Sequence, residues 1–111
     1  MPKFDIKKLS TDQQRTLLEG FFLAVASLKH YNEVRDFFKD LLDPQETAML
    51  ARRLKIAELL DQDLTYEEIA LRLHTGKDTI ARVGKWFYNG HGGYQLLVKR
   101  LKDYDKKRNR S

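Results

Sequence analysis

No cysteine occurs in the 111 residues. That excludes disulfides, thiolate metal sites and cysteine nucleophiles together, and is compatible with a reducing compartment. Proline is almost absent too, standing only at positions 2 and 44, so long helical stretches run without a breaker. No apolar run approaches the ~18 residues of a membrane span. The amino end, MPKFDIKKLS, lacks the apolar centre of a signal peptide. These absences predict a cytoplasmic protein with no membrane partner. His30, His74 and His91 are far apart and lack ligand spacing, so no metal site is expected. Glu67 and Glu68 are adjacent on a helical pattern and point to different sides, which argues against paired acid–base work. No nucleophile–base pair stands out, and an enzyme is not expected.

What is present is helix. Apolar residues recur at helical spacing almost throughout, with no internal repeat and no low-complexity linker. After an arm over residues 1–9, a first helix is expected to start at Ser10 or Thr11, with Gln13 or Gln14 as capping-box partner. Leu17, Leu18, Phe21, Phe22, Val25 and Leu28 form its apolar stripe. A second helix carries Val34, Phe37, Phe38, Leu41 and Leu42. So much apolar surface on two helices calls for a partner, and a second copy of the chain is the expected one. Filling the core of a single chain is the alternative.

Asp43-Pro44-Gln45-Glu46 is a helix start, with a cap, a proline suited to the first helical position and an acid for the capping box. The helix it opens should reach about Asp61, with Leu50, Leu54, Ala57 and Leu60 inward. Arg52, Arg53 and Lys55 cluster on its other sides, either solvated or reaching an anion.

Thr65-Tyr66-Glu67-Glu68 is a capping box, so another helix begins there. It should stop near Leu73, where Thr75-Gly76 breaks the pattern and Thr75 is placed to cap the next helix. The buried positions Ile69, Ala70 and Leu73, then Ile80, Val83 and Phe87, have the spacing of a helix-turn-helix. His74 stands at the turn position that commonly needs a positive φ and is usually glycine. The second helix then presents Lys77, Asp78, Thr79, Ala81, Arg82 and Lys85. Such residues suit a major groove, with Lys77, Asp78, Thr79 and Ala81 assigned to bases and Arg82 and Lys85 to phosphates. Charge agrees: residues 1–76 hold 11 basic and 13 acidic side chains, whereas 77–111 hold 10 and 3, within a net charge of +5. A polyanionic partner follows, with duplex DNA first. A helical adaptor whose basic tail meets an acidic protein, or an RNA binder, remains open on charge alone.

The turn Asn89-Gly90-His91-Gly92-Gly93 lacks the lysine-serine/threonine end of a phosphate loop and is expected to reverse the chain. Tyr94, Leu97, Val98 and Leu101 mark a last helix. From Lys102 the chain is polar and is expected to fray, giving a basic tail over 104–111.

Leu42-Asp43-Pro44-Gln45-Glu46, Arg53-Leu54-Lys55-Ile56-Ala57, Thr65-Tyr66-Glu67-Glu68-Ile69 and Asp78-Thr79-Ile80-Ala81-Arg82-Val83 resemble the Trp repressor superfamily, and within it the YerC/YecD-type Trp-repressor-related proteins. The resemblance spans about residues 10–103. It implies an all-α, six-helix fold with a helix-turn-helix, an intertwined homodimer and operator binding as a transcriptional regulator, most simply a repressor. It also implies a ligand position. In the Trp repressor, an arginine on the third helix and another on the recognition helix enclose L-tryptophan, and Arg53 and Arg82 match them. This sequence departs from the pattern at Val83, where the family has a smaller residue, and at Trp86, where it has a serine. These departures predict that L-tryptophan is not a corepressor here, and no other cofactor is expected.

Overall fold

The computed structural model describes residues 4–109. A single 3-10 turn at Ile6–Lys8 precedes six α-helices: α1 Thr11–Ala26, α2 Tyr31–Leu41, α3 Pro44–Asp61, α4 Tyr66–Leu73, α5 Lys77–Asn89 and α6 Gly93–Asn109. No strand occurs among the described residues. The chain divides into two compact units, Met1–Asp43 and Pro44–Ser111. That division falls inside residues 10–103, which the sequence suggested as one domain.

In the first unit, Met1, Pro2 and Lys3 of the expected arm lie outside the described residues. Asp5 accepts the Lys7 N–H at 3.0 Å and so caps the short turn. Ser10, not Thr11, caps α1. Its hydroxyl accepts the Gln13 N–H at 3.1 Å, and the Gln13 side chain accepts the Ser10 N–H at 3.0 Å. Phe21 and Phe37 face each other across α1 and α2 with ring centroids 6.4 Å apart. Yet no residue of α1 or α2 is buried. Phe22 and Leu23 remain 63% and 64% exposed.

The second unit holds the core. Ile56, Ala57, Leu59 and Leu60 of α3, Ile69 of α4, Ile80, Val83 and Phe87 of α5, and Val98 of α6 form one buried cluster. Leu54, Leu64, Ala70, Leu73 and Tyr94 pack on its edge. Helix α3 is the common support, since it touches α4, α5 and α6. Its inward face differs from the expected one. Ala57 and Leu60 are buried and Leu54 half-buried, but Leu50 is exposed, while Ile56 and Leu59 are in the core. Three helices surround the carboxyl-terminal half of α3, so a wider arc of it is covered there than a single stripe. On α6, Val98 is buried, Tyr94 and Leu101 are half-buried and Leu97 is exposed.

The segment from Lys102 was expected to fray. Helix α6 instead continues to Asn109, and Arg110 and Ser111 lie outside the described residues. Lys106, Lys107 and Arg108 occupy its last turn, where cations suit the negative end of the helix dipole. Lys102 also anchors the helix to α3, its ammonium 2.5 Å from the Asp61 carboxylate.

Candidate nucleic-acid interface

Helices α4 and α5 form the expected pair. Thr65 opens α4 with a complete capping box: its hydroxyl accepts the Glu68 N–H at 3.2 Å, and the Glu68 carboxylate accepts the Thr65 N–H at 3.1 Å. The bond from the Thr65 backbone, and after it that with the Thr65 side chain, holds the Glu68 carboxyl below its ordinary pKa, with Arg72 adding a smaller push in the same direction. At the other end His74 takes the left-handed conformation, φ 51° and ψ 51°, and its N–H returns to the Ala70 carbonyl. The imidazole therefore occupies the position where the turn would favour glycine.

The start of α5 differs from the expectation. Thr75 does not cap it. Gly76 stands at the cap with extended backbone and no side-chain hydrogen bond, and α5 begins at Lys77. The Thr75 N–H is drawn back to the Ala70 carbonyl at 3.3 Å, tying this residue to the end of α4. Its hydroxyl is consequently buried, with no hydrogen-bond partner among the described residues. The sequence placed Thr75 at the cap; the left-handed residue at His74 uses up one position of the turn and moves the cap to Gly76.

Helix α5 buries Ile80, Val83, Gly84 and Phe87 on one face. Gly84 was not singled out by sequence. A Cβ there would stand 3.1 Å from the Tyr66 hydroxyl and 3.7 Å from a Leu60 methyl, so side chains of α4 and α3 close over this residue. A glycine on the apolar face of a helix is the signal that could have located this close packing.

Of the six residues assigned to DNA, Lys77, Asp78, Ala81, Arg82 and Lys85 are exposed, and Thr79 is half-buried. Asp78 sits in the first turn, where the helix dipole favours an acid. The Lys77 ammonium lies 3.6 Å from the Glu67 carboxylate, an exposed pair that links the two helices. Thr79 and Arg82 also line a cleft of about 120 Å3 with Arg53, Val83, Trp86 and Tyr94. The structure thus brings together Arg53 and Arg82, the two matched ligand positions. The cleft is well below the roughly 300–1,000 Å3 of a typical small-molecule site. Trp86 forms part of its wall, 47% exposed. The other basic residues of α3 are engaged elsewhere. Lys55 pairs with Glu58 at 3.7 Å, and Arg52 donates to the His74 carbonyl at 3.2 Å.

The same arrangement of helices recurs in known proteins. The family profile of the Trp repressor protein matches residues 16–102. The chain belongs to the Trp repressor family. The YerC protein of Bacillus subtilis (strain 168) is 33% identical over 86 residues, covering 78% of this chain and 83% of that protein. The solved structure of a TrpR-like protein from Eubacterium eligens aligns with a TM-score of 0.73 at 31% identity, covering 84% of this chain and 96% of that one. A Staphylococcus aureus structure aligns with a TM-score of 0.71 at 28% identity, over 90% of this chain and 96% of its own. Both the superfamily and the YerC-type branch suggested by the sequence motifs are therefore correct. Trp repressor membership makes the chain one of a family of DNA-binding regulators.

Proposed function

We propose that the chain is a cytoplasmic, sequence-specific DNA-binding regulator, a repressor in the simplest case and not an enzyme, that reads duplex operator DNA as a homodimer. The observation that carries this reading is the α4–α5 pair, with its left-handed turn at His74 and its outward row of Lys77, Asp78, Ala81, Arg82 and Lys85. A further support is the bare start of α5. No side chain caps it, so its first amides stay available to a phosphate oxygen, which the helix dipole also favours. Thr79 belongs at the edge of the reading face, and Arg82 is shared between the groove side and the cleft. The apolar side chains of α1 and α2, none of them buried, supply the surface for the second copy. Two recognition helices then address half-sites one helical turn apart, ~34 Å.

Control by L-tryptophan is not part of this proposal. The small cleft between Arg53 and Arg82, with Trp86 in its wall, supports a regulator that does not take tryptophan as corepressor.

Selection from random duplexes, followed by salt titration of the selected and random sequences, tests the proposal. The selected operator should bind more tightly at every salt concentration. Each phosphate contact should contribute about 0.9 to the slope of log affinity on log salt. A charge-only adaptor would show no preference at any salt. Unchanged operator binding by Thr79→Ala combined with Arg82→Ala would remove these residues from the reading surface.

A further inference from the structure

The turn between α4 and α5 has little scaffolding of its own. The N–H groups of His74 and Thr75 share one acceptor, the Ala70 carbonyl. Gly76 provides no side-chain cap, and the Thr75 hydroxyl has no partner among the described residues. The first buried residue of α5 is Ile80. Lys77 and Asp78 therefore lie between this turn and the first core contact, and the backbone at 74–76 sets where they stand.

One group from outside the pair reaches that backbone. The guanidinium of Arg52, a half-buried residue of α3, donates from Nη1 to the exposed His74 carbonyl at 3.2 Å. Helix α3 is the support on which the whole second unit packs. We propose that Arg52 is a positioning residue for DNA reading, holding the His74 peptide and thereby the first turn of α5. This rests on α5 being the recognition helix. Lys77, Asp78 and Thr79 are the first three residues of α5, within about 5 Å of the turn at about 1.5 Å rise per residue, so a shift of the His74 peptide passes directly to side chains assigned to bases. Such a shift is enough to misplace a side chain against a base edge. Arginine suits the task because its planar guanidinium is pre-organised for directed hydrogen bonds, whereas the lysine ammonium is a flexible point charge.

The test compares the wild type with Arg52→Lys and Arg52→Gln on a selected operator and on a random duplex, with thermal melting recorded for each. Positioning predicts that Arg52→Lys, which keeps the charge, loses about tenfold in operator affinity, at the scale of one hydrogen bond to a charged group. Its random-duplex affinity, salt slope and melting temperature should stay near wild type. Full operator binding by Arg52→Lys, with loss only in Arg52→Gln, would make Arg52 a mere charge and overturn the proposal. Parallel loss of operator binding, random binding and melting temperature would make it a general stabiliser and overturn it equally. A wild type without operator preference would instead overturn the reading of α5, and the role of Arg52 with it.

Discussion

The Trp86 indole and the His91 imidazole lie nearly parallel, with ring centroids 6.0 Å apart and 14° between their planes. His91 comes from the glycine-rich turn after α5, and the Lys85 ammonium lies 5.5 Å from the centre of the same indole. Trp86 is thus held in place at the edge of the Arg53–Arg82 cleft. Calorimetry with L-tryptophan should give no saturable heat for the wild type, and Trp86→Ser should widen the cleft. Saturable binding to the wild type, with DNA affinity rising in step, would refute the exclusion of tryptophan.

The Thr65–Glu68 box gives a prediction with a pH sign. Thr65→Ala should cost about 1 kcal/mol, measured by denaturant unfolding. The Glu68 carboxyl has a lowered pKa when folded. Its contribution is therefore complete above the pKa of the unfolded chain and is lost as pH falls through the lower folded value. Glu68→Gln keeps a capping-box acceptor but has nothing to titrate. The stability gap between wild type and Glu68→Gln should move against the wild type on acidification. A gap that stays constant across that range would show that the carboxylate charge adds nothing to the cap.

Gly90 closes α5 against its own last turn. A Cβ at this position would lie 2.3 Å from the Trp86 carbonyl oxygen, an atom of backbone that has no rotamer with which to escape. Gly90→Ala should destabilise by about 1–3 kcal/mol. Gly84→Ala should cost much less, because its neighbour is the far end of the Tyr66 side chain and a helical alanine recovers roughly 1 kcal/mol over glycine. Thermal melts of the two variants side by side check the order, and a Gly90→Ala melt equal to wild type would contradict it.

Phe22 and Leu23 of α1 are among the most exposed large apolar residues in the chain. Sedimentation equilibrium should return about twice the chain mass of 13.1 kDa. Phe22→Asp should shift the population toward monomer or unfold it, because a carboxylate cannot be buried unpaired at an apolar contact. Wild-type sedimentation as a monomer at micromolar concentration would remove the homodimer from the proposed function.

The sequence by itself determined the features that depend on near neighbours. Ser10 and Thr65 cap because each has a partner three residues on, and Pro44 opens α3 because its missing N–H costs nothing there. The spacing of Ile69, Ile80, Val83 and Phe87 marked the buried faces of α4 and α5, since helical periodicity places them on one side. Even the left-handed residue at His74 was visible as a position in the motif. Only the tertiary structure decided that Gly76 and not Thr75 precedes α5, that Thr79 and Arg82 border a cleft with Arg53, that Trp86 stacks on His91, and that Arg52 reaches across 22 positions to the turn. The cleft and the Arg52 bond depend on where one helix lies against another, while the start of α5 and the Trp86–His91 stack depend on how the turns at its two ends fold. Periodicity gives the face a residue occupies, but not the distance or angle at which a neighbouring helix passes it.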